Sequence, residues 1–182
     1  MMGDEITAKD LRHLATLCPP PPHPASVRRE ALAHPAQVAP ASHRELIRTY
    51  GVGCFDEFVW VFADGAPNSN LDITDSTYQL RSILREKTPN HLSRVLEEYR
   101  STSDHLVQWG VTDNADVLAW IAAGEPERWP TVIIQAGQIG AVVSPVSSTA
   151  TVLHLLTGSL RIPFFPSDFP SERPDFSANP YE

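Results

Sequence analysis

Four short apolar runs between residues 105 and 143 constrain the fold more than any other feature of this sequence. They cover residues 105–109, 116–122, 131–135 and 139–143, and turn-forming residues separate them. The separations are too short to hold the crossover helix that a parallel connection requires. The runs therefore predict antiparallel strands that follow one another in a meander.

The segment between the first two runs contains two carboxylates, Asp113 and Asp116, which raises the question of a metal or acid–base site. An EF-hand loop requires oxygen ligands at alternate positions and a terminal glutamate, and DNADVLAWIAAG lacks them. Asp and Asn in a TDN sequence are typical of turns instead, because their side chains bond to nearby backbone groups. We interpret the segment as a hairpin turn.

Helical spacing of apolar residues predicts helices in four other regions, which cover residues 6–18, 42–51, 75–100 and 147–158. Thr7 is expected to cap the first helix, and Ser42 and Glu45 form the pattern of a capping box at the start of the second. The third region should be interrupted near Pro89. Its two apolar faces are expected to contain Tyr78, Leu80, Ile83, Leu84, Leu92, Val95, Leu96 and Tyr99.

One further strand is predicted over residues 54–65, where apolar side chains alternate. Phe58, Trp60 and Phe62 would point to one side and Val59 and Val61 to the other, so both faces should be covered. The fold class that these elements indicate is α+β, with helices packed on an antiparallel sheet. The last twenty residues are rich in proline; we expect Phe164 and Phe165 to pack on the core and the end to be loosely ordered.

The charge distribution limits the classes of partner. The net charge is −8, and the eight basic against seventeen acidic residues after position 50 leave that part of the chain at −9. Nucleic acid is an unexpected partner, since binding its backbone requires clustered positive charge. A basic protein would be attracted by such a field. The sequence has neither a signal peptide nor an apolar run of membrane-spanning length, so we expect a cytoplasmic protein with two reduced cysteines, Cys18 and Cys54.

No motif with reactive chemistry stands out. The chain has no GxSxG, no GxGxxG and no CxxC pair, and none of its histidines has metal-ligand spacing. We therefore predict no catalytic residue, no cofactor and no metal. An enzyme whose site is assembled from distant residues remains a third alternative to the two binding functions that follow.

Three segments, taken in order, resemble the SUKH superfamily and in particular its actinobacterial branch. They are RELIRTYGVGCFDEFVWVF, LVQWGVTDNADVLAWIAAGEPERWPTVIIQ and LLTGSLRIPFFPSDFP. The resemblance extends over residues 40–170, which implies a SUKH-like domain between an N-terminal helix and Pro-rich segment (1–39) and a Pro-rich tail (171–182). The family's fold-defining positions correspond to Tyr50, Gly51, Gly53, Phe55, Trp109, Gly110, Thr112, Asp113, Asn114, Trp129 and Pro130. The chain departs from the pattern at Ala115, where relatives often have glycine.

The resemblance implies a non-catalytic binding module without a cofactor. Bacterial members are thought to be immunity proteins that neutralise toxin domains by direct binding, and a basic toxin would suit the acidic surface. The alternative is a regulatory or scaffold protein with a non-toxic cellular partner, as in the yeast cell-wall-synthesis regulator of the same superfamily. Acidic residues at the starts of strands and in loops are the expected partner-binding positions: Asp56, Glu57, Asp104, Asp113, Asp116, Glu125 and Glu127.

Overall fold

A computed structural model describes residues 2–24 and 38–178, so segment 25–37 of the expected N-terminal region and residues 179–182 lie outside the description. The fold is α+β, as predicted: within the described residues, five helices accompany one seven-stranded antiparallel sheet. The helices are α1 (Met2–Leu17), α2 (Ala41–Tyr50), α3 (Ile73–Glu86), α4 (Asn90–Glu98) and α5 (Ser148–Leu156).

The sheet has the order β6-β5-β4-β3-β2-β1-β7, and every neighbouring pair is antiparallel. Its strands are β1 (Gly53–Phe55), β2 (Val59–Val61), β3 (Leu106–Thr112), β4 (Val117–Ile121), β5 (Thr131–Ile134), β6 (Ala141–Ser144) and β7 (Phe176–Ala178). Strands β3 to β6 are consecutive neighbours, which confirms the predicted meander and the hairpin turn at Asp113.

Helices cover both faces of the sheet. Along β4, Leu118 and Trp120 belong to the apolar core beneath α1, α2 and α5. Ala119 and Ile121 point the other way and belong to a second core that α3 and α4 close. Because side chains alternate along a strand, the sheet contributes residues to two cores, and each core requires its own layer of helices.

The break between α3 and α4 lies at Pro89, as predicted. Each helix has a narrower buried face than expected. Leu80, Leu84, Leu92 and Leu96 are buried, whereas Tyr78, Ile83 and Tyr99 are exposed. The polar residue Thr77 takes part in the buried face instead, because its hydroxyl accepts a hydrogen bond from the backbone N–H of Gln108 on β3 (2.9 Å).

The expectation of one strand over residues 54–65 is wrong. The segment forms the hairpin β1–β2, and the turn falls at Asp56 and Glu57, where the N–H of Phe58 donates to the carbonyl of Phe55 (3.0 Å). The apolar residues on either side of this acidic pair continue a period-two pattern, so periodicity alone does not reveal the turn.

Two helix starts also differ from expectation. Helix α1 begins at Met2, so Thr7 lies inside it. Helix α2 begins at Ala41, so Ser42 lies inside the helix and forms no capping box with Glu45. The backbone N–H groups of Ala41 and Ser42 donate instead to the carboxylate of Glu127, from the distant turn Pro126–Arg128.

The C-terminal segment is more ordered than expected. Phe164 and Phe165 pack on the core as predicted, but the chain continues and pairs β7 with β1. The ring of Phe176 lies 5.1 Å from that of Tyr50 and 4.8 Å from that of Phe55, both centroid to centroid. These aromatic contacts fix a segment whose prolines suggested disorder.

Two glycines of the sheet allow backbones to approach closely. A Cβ at Gly110 would lie 2.6 Å from the carbonyl oxygen of Trp60, and one at Gly53 would lie 2.3 Å from that of Ser177. Backbone oxygens in a paired sheet have little freedom to move, so neither position has room for a side chain.

We expect Gly110→Ala to lower the free energy of unfolding by about 2–3 kcal/mol, because the methyl group overpacks the contact with Trp60. Urea denaturation followed by tryptophan fluorescence measures the change. Gly140→Ala is the matched control, since its Cβ would be crowded only by the flexible end of the Gln135 side chain, at 3.0 Å. Equal losses in the two variants would contradict the close approach at Gly110.

Candidate functional site

The turn of the β1–β2 hairpin holds two carboxylates in a strained conformation. Asp56 and Glu57 have φ angles of 51° and 52°, in the left-handed region that glycine, asparagine and aspartate adopt most readily, so the unusual residue is Glu57. Two consecutive left-handed residues are the geometry of a type I′ turn, and side chains with a β-carbon are strained there. The hairpin thus presents acidic side chains where a turn optimised for stability would have glycine.

The C-terminal segment is attached to this turn through Asp56. Its carboxylate accepts hydrogen bonds from the backbone N–H of Ser171 (2.8 Å) and from the hydroxyl of Ser171, and its own N–H donates to the carbonyl of Asp175 (2.7 Å). These contacts bring the exposed residues Asp168 and Asp175 beside the hairpin.

Asp113 reaches the same place from the β3–β4 turn. Its N–H donates to the carbonyl of Phe58 (2.9 Å), one residue after the acidic hairpin turn. We call the resulting surface the acidic rim and define it by Asp56, Glu57, Asp113, Asp168 and Asp175.

A cavity of about 410 Å³ opens within the rim. The rings of Phe58 and Phe169, 4.7 Å apart, line it together with Asp168 and Asp175. Arg173 also lines the cavity and offsets part of the negative charge. An aromatic surface edged with carboxylates is chemically suited to a cationic side chain such as arginine or lysine.

The negative field of the rim reaches the thiol of Cys54 in β1. Burial first, and then the negative charges of Asp113, Asp175, Glu57 and Asp56, together raise the pKa of Cys54 to about 12. A thiol with so high a pKa is protonated at neutral pH and is a poor nucleophile. Cys54 is therefore a buried structural residue, as is Cys18, whose pKa burial also raises to about 12.

The predicted acidic residues separate into two groups. Asp56, Glu57 and Asp113 belong to the rim. Asp104 precedes β3 and therefore lies at the opposite end of that strand from Asp113; seven residues of strand extend about 23 Å. Glu125 and Glu127 follow the antiparallel strand β4 and therefore share the end of the sheet where Asp104 lies. Asp104 is paired with Arg85 (2.9 Å), and the carboxylate of Glu127 binds the first turn of α2.

The expectation that Asp116 is exposed is wrong, because only 2% of its surface is accessible. Its carboxylate accepts hydrogen bonds from the hydroxyl of Thr112 (2.9 Å) and from the N–H of Ala136 (2.8 Å). It fastens the β3–β4 turn to the end of β5 and is not available to a partner.

Two rim residues, Asp168 and Asp175, were missed in the sequence. Both lie in the Pro-rich segment that we expected to be partly loose, and their proximity to Asp56 follows from a contact across more than a hundred residues. The acidic residues of SDFPSERPDF were the available signal, but sequence spacing does not indicate their distance from the hairpin.

The positions that resemble fold-defining family residues are structural in character. Tyr50, Phe55 and Trp109 are fully buried, and the hydroxyl of Tyr50 donates to the carbonyl of Cys18 (2.6 Å). Gly51 has a φ of 79° at the end of α2. Gly53 and Gly110 lie in strands β1 and β3. The remaining positions lie in or beside turns: Thr112, Asp113, Asn114, Trp129 and Pro130. The departure at Ala115 is accommodated by a left-handed conformation with a φ of 67°.

A histidine and a serine form a buried pair that the sequence did not reveal. Nδ1 of His43 lies 2.9 Å from Oγ of Ser148, and Nε2 lies 2.8 Å from the carbonyl oxygen of Phe62. The carbonyl can only accept, so Nε2 carries the proton and Nδ1 accepts from the serine hydroxyl. His43 and Ser148 are each 1% exposed, and the rings of Trp109 and Trp120 pack against the imidazole. A substrate therefore has no surface through which to reach this pair.

None of the known family models, curated proteins or solved structures matches the chain. Among the described residues there is no cluster of His, Cys, Asp and Glu that could hold a metal ion, and no helix is both long and apolar enough to cross a bilayer. The acidic rim is the site that the geometry singles out: a negatively charged surface at one end of the sheet of an α+β fold.

Glu57→Gly should raise the free energy of unfolding by about 0.5–1 kcal/mol, because glycine removes the left-handed strain at the turn. Chemical denaturation measures the gain. Glu57→Ala keeps a β-carbon and removes the same charge, so it should leave the stability nearly unchanged. A gain of the same size in both variants would assign the effect to charge and not to backbone strain.

Below neutral pH, His43 should make the fold less stable. Burial lowers its pKa from 6.5 to about 4, so the unfolded chain binds more protons than the folded one as the pH falls from about 6.5 towards 4. The free energy of unfolding should drop by about 2 kcal/mol between pH 7.5 and pH 5 from this group.

Urea denaturation at both pH values measures this drop. His43→Gln should flatten the slope over that interval, whereas His13→Gln, on the exposed side of α1, should retain it. Equal slopes in the native protein and the His43→Gln variant would contradict the assignment.

Proposed function

We propose that this protein is a non-catalytic, immunity-type binding module that neutralises a basic toxin domain by binding it directly through the acidic rim. The observation that carries the proposal is the convergence of five carboxylates from the β1–β2 hairpin, the β3–β4 turn and the C-terminal segment. The resemblance of three sequence segments to the SUKH superfamily supports the same class of function.

The physical properties of the rim suit recognition of a cationic surface. Like charges held close together repel one another, and a partner with complementary charge relieves that repulsion. Such a field raises the association rate most strongly at low ionic strength. The cavity that Phe58 and Phe169 help to line offers one basic side chain of the partner a place to insert, and a buried anchor of this kind stabilises a complex after encounter.

The strained turn at Asp56 and Glu57 supports a functional role for these carboxylates. Left-handed residues other than glycine persist in folded proteins where the surrounding structure holds them, and they cluster at functional sites. A protein that neutralises a toxin by covering its surface needs no catalytic residue. We propose that this module acts in the cytoplasm, where the toxin would act.

The test is affinity capture from the native cells with three forms of the tagged chain. One is the native form, one carries Glu57→Lys and Asp168→Lys in the rim, and one carries Glu86→Lys and Glu98→Lys on the exposed sides of α3 and α4. Both double variants change the net charge equally. The native form and the helix variant should retain the same partner, and the rim variant should lose it. The partner, expressed alone, should stop growth unless the native chain is co-expressed.

Each part of the proposal has its own contrary result. A partner that all three forms retain would exclude the rim as the interface. A partner retained through the rim but harmless when expressed alone would support the regulatory or scaffold alternative over immunity.

A further inference from the structure

A cleft of about 280 Å³ lies beside the β3–β4 turn, and we call it the Trp60 cleft. One wall is formed by Trp60 and Val111, which are directly opposite each other on β2 and β3. The other wall is formed by the short helical turn Ser69–Leu71. The N–H of Ala63, just after β2, donates to the carbonyl of Leu71 (3.1 Å). The two walls are therefore held together by the backbone, as in cavities that are formed before their ligand binds.

Trp60 differs from the tryptophans of the core. Trp109 and Trp120 are fully buried, whereas Trp60 is partly exposed. Val59 and Val61 belong to the first core, so the side chain between them points to the other face of the sheet. The second core on that face takes its buried residues from α3, α4 and strands β3 to β5, so its helices end before β2. A partly exposed indole presents a flat apolar surface together with an N–H donor.

Polar side chains at the edge of the cleft are available for hydrogen bonds. The amide oxygen of Asn68 accepts from the N–H of Asn70 (3.0 Å), which fixes the orientation of that amide. Within the described part of the chain, its NH₂ group has no partner, and neither do the exposed amide of Asn70 and the exposed carboxylate of Asp113. All three residues line the cleft. It thus offers both donors and acceptors around an aromatic surface.

We propose that the Trp60 cleft binds a neutral hexopyranose, the six-membered ring form of a sugar. The apolar C–H face of such a ring lies on the indole of Trp60. Its hydroxyl groups donate to the carboxylate of Asp113 and accept from the amides of Asn68 and Asn70, because a hydroxyl can do both.

Other classes of small ligand suit the cleft less well. An anion would be repelled by Asp113 and by the neighbouring acidic rim. A hydrocarbon would cover the two amides without giving them hydrogen bonds, which costs free energy. Asp113 also belongs to the rim, but sugar binding requires no other rim residue, so this inference does not rest on the proposed function.

Titration of the isotope-labelled protein with the methyl glycosides of glucose, galactose, mannose and N-acetylglucosamine tests the proposal. One of the four should shift the indole N–H resonance of Trp60 until it saturates. The indole resonance of Trp129 should stay in place, because that N–H donates to the carbonyl of Gly124 at the other end of the sheet. In Asn70→Ala the dissociation constant should rise about fivefold, since one hydrogen bond is lost. The Asn70 side chain is exposed, so this variant should fold as well as the native protein.

The controls separate sugar recognition from general apolar or surface effects. Asn114→Ala is the matched variant: Asn114 is exposed in the neighbouring turn and does not line the cleft, so its removal should leave the affinity unchanged. Methyl glucuronide, a sugar ring with a carboxylate, and cyclohexanol, a six-membered ring with one hydroxyl, should both bind more weakly than the best neutral glycoside. The trisaccharide of that sugar distinguishes two sources of the same chemistry: tighter binding supports a site for a glycan chain, and equal binding supports a site for a single sugar.

Three results would each overturn the proposal. One is that none of the four glycosides shifts the Trp60 resonance to saturation. Another is that the resonances of Trp60 and Trp129 shift together. The third is that Asn70→Ala and Asn114→Ala bind the sugar equally well.

Discussion

The two-sided burial of the central strands is the constraint on which the rest of this structure depends. Trp120 on β4 faces one core and Ile121 the other, so neither face of the sheet can be left to water. The helices that cover one face come from both ends of the chain, α1 and α2 from the beginning and α5 from the end. One polar residue that this layer buries is His43, and both of its ring nitrogens have hydrogen-bond partners. A buried polar group that lacks a partner costs about 1–3 kcal/mol.

The same packing determines where the acidic rim forms. Helices cover both faces of the sheet, so the part of the sheet that remains accessible is at the ends of its strands and in the turns between them. The β1–β2 turn and the β3–β4 turn lie at one such end, where Asp113 contacts the backbone of Phe58. The C-terminal segment returns to this end because β7 pairs with β1 and because Ser171 donates to Asp56. The rim is thus a consequence of sheet order, and residues 168–175 complete it.

Local patterns predicted much of the fold, and long-range contacts account for most of what they missed. The meander and the break at Pro89 follow from spacing and from proline chemistry, which act within a few residues. The β1–β2 hairpin was missed because Glu57 is unusual in a left-handed turn and apolar residues continue on both sides of the acidic pair. The cap of α2 comes from Glu127, eighty-six residues beyond Ala41, and no short pattern contains that information. Three of the five rim residues were predictable for the same reason: the turns that hold Asp56, Glu57 and Asp113 are local, whereas the approach of Asp168 and Asp175 is not.

The chemical fate of each carboxylate shows why net charge alone is a poor guide to a binding surface. The carboxylate of Asp116 accepts hydrogen bonds from Thr112 and Ala136 inside the fold, and that of Glu127 accepts one from the N-terminus of α2. Glu57, by contrast, is exposed at the tip of its hairpin. The negative charge that the surface presents is therefore smaller than the sequence charge suggests. The acidic rim also requires the C-terminal segment to be in place, so the recognition that we propose depends on the complete fold rather than on any single acidic segment.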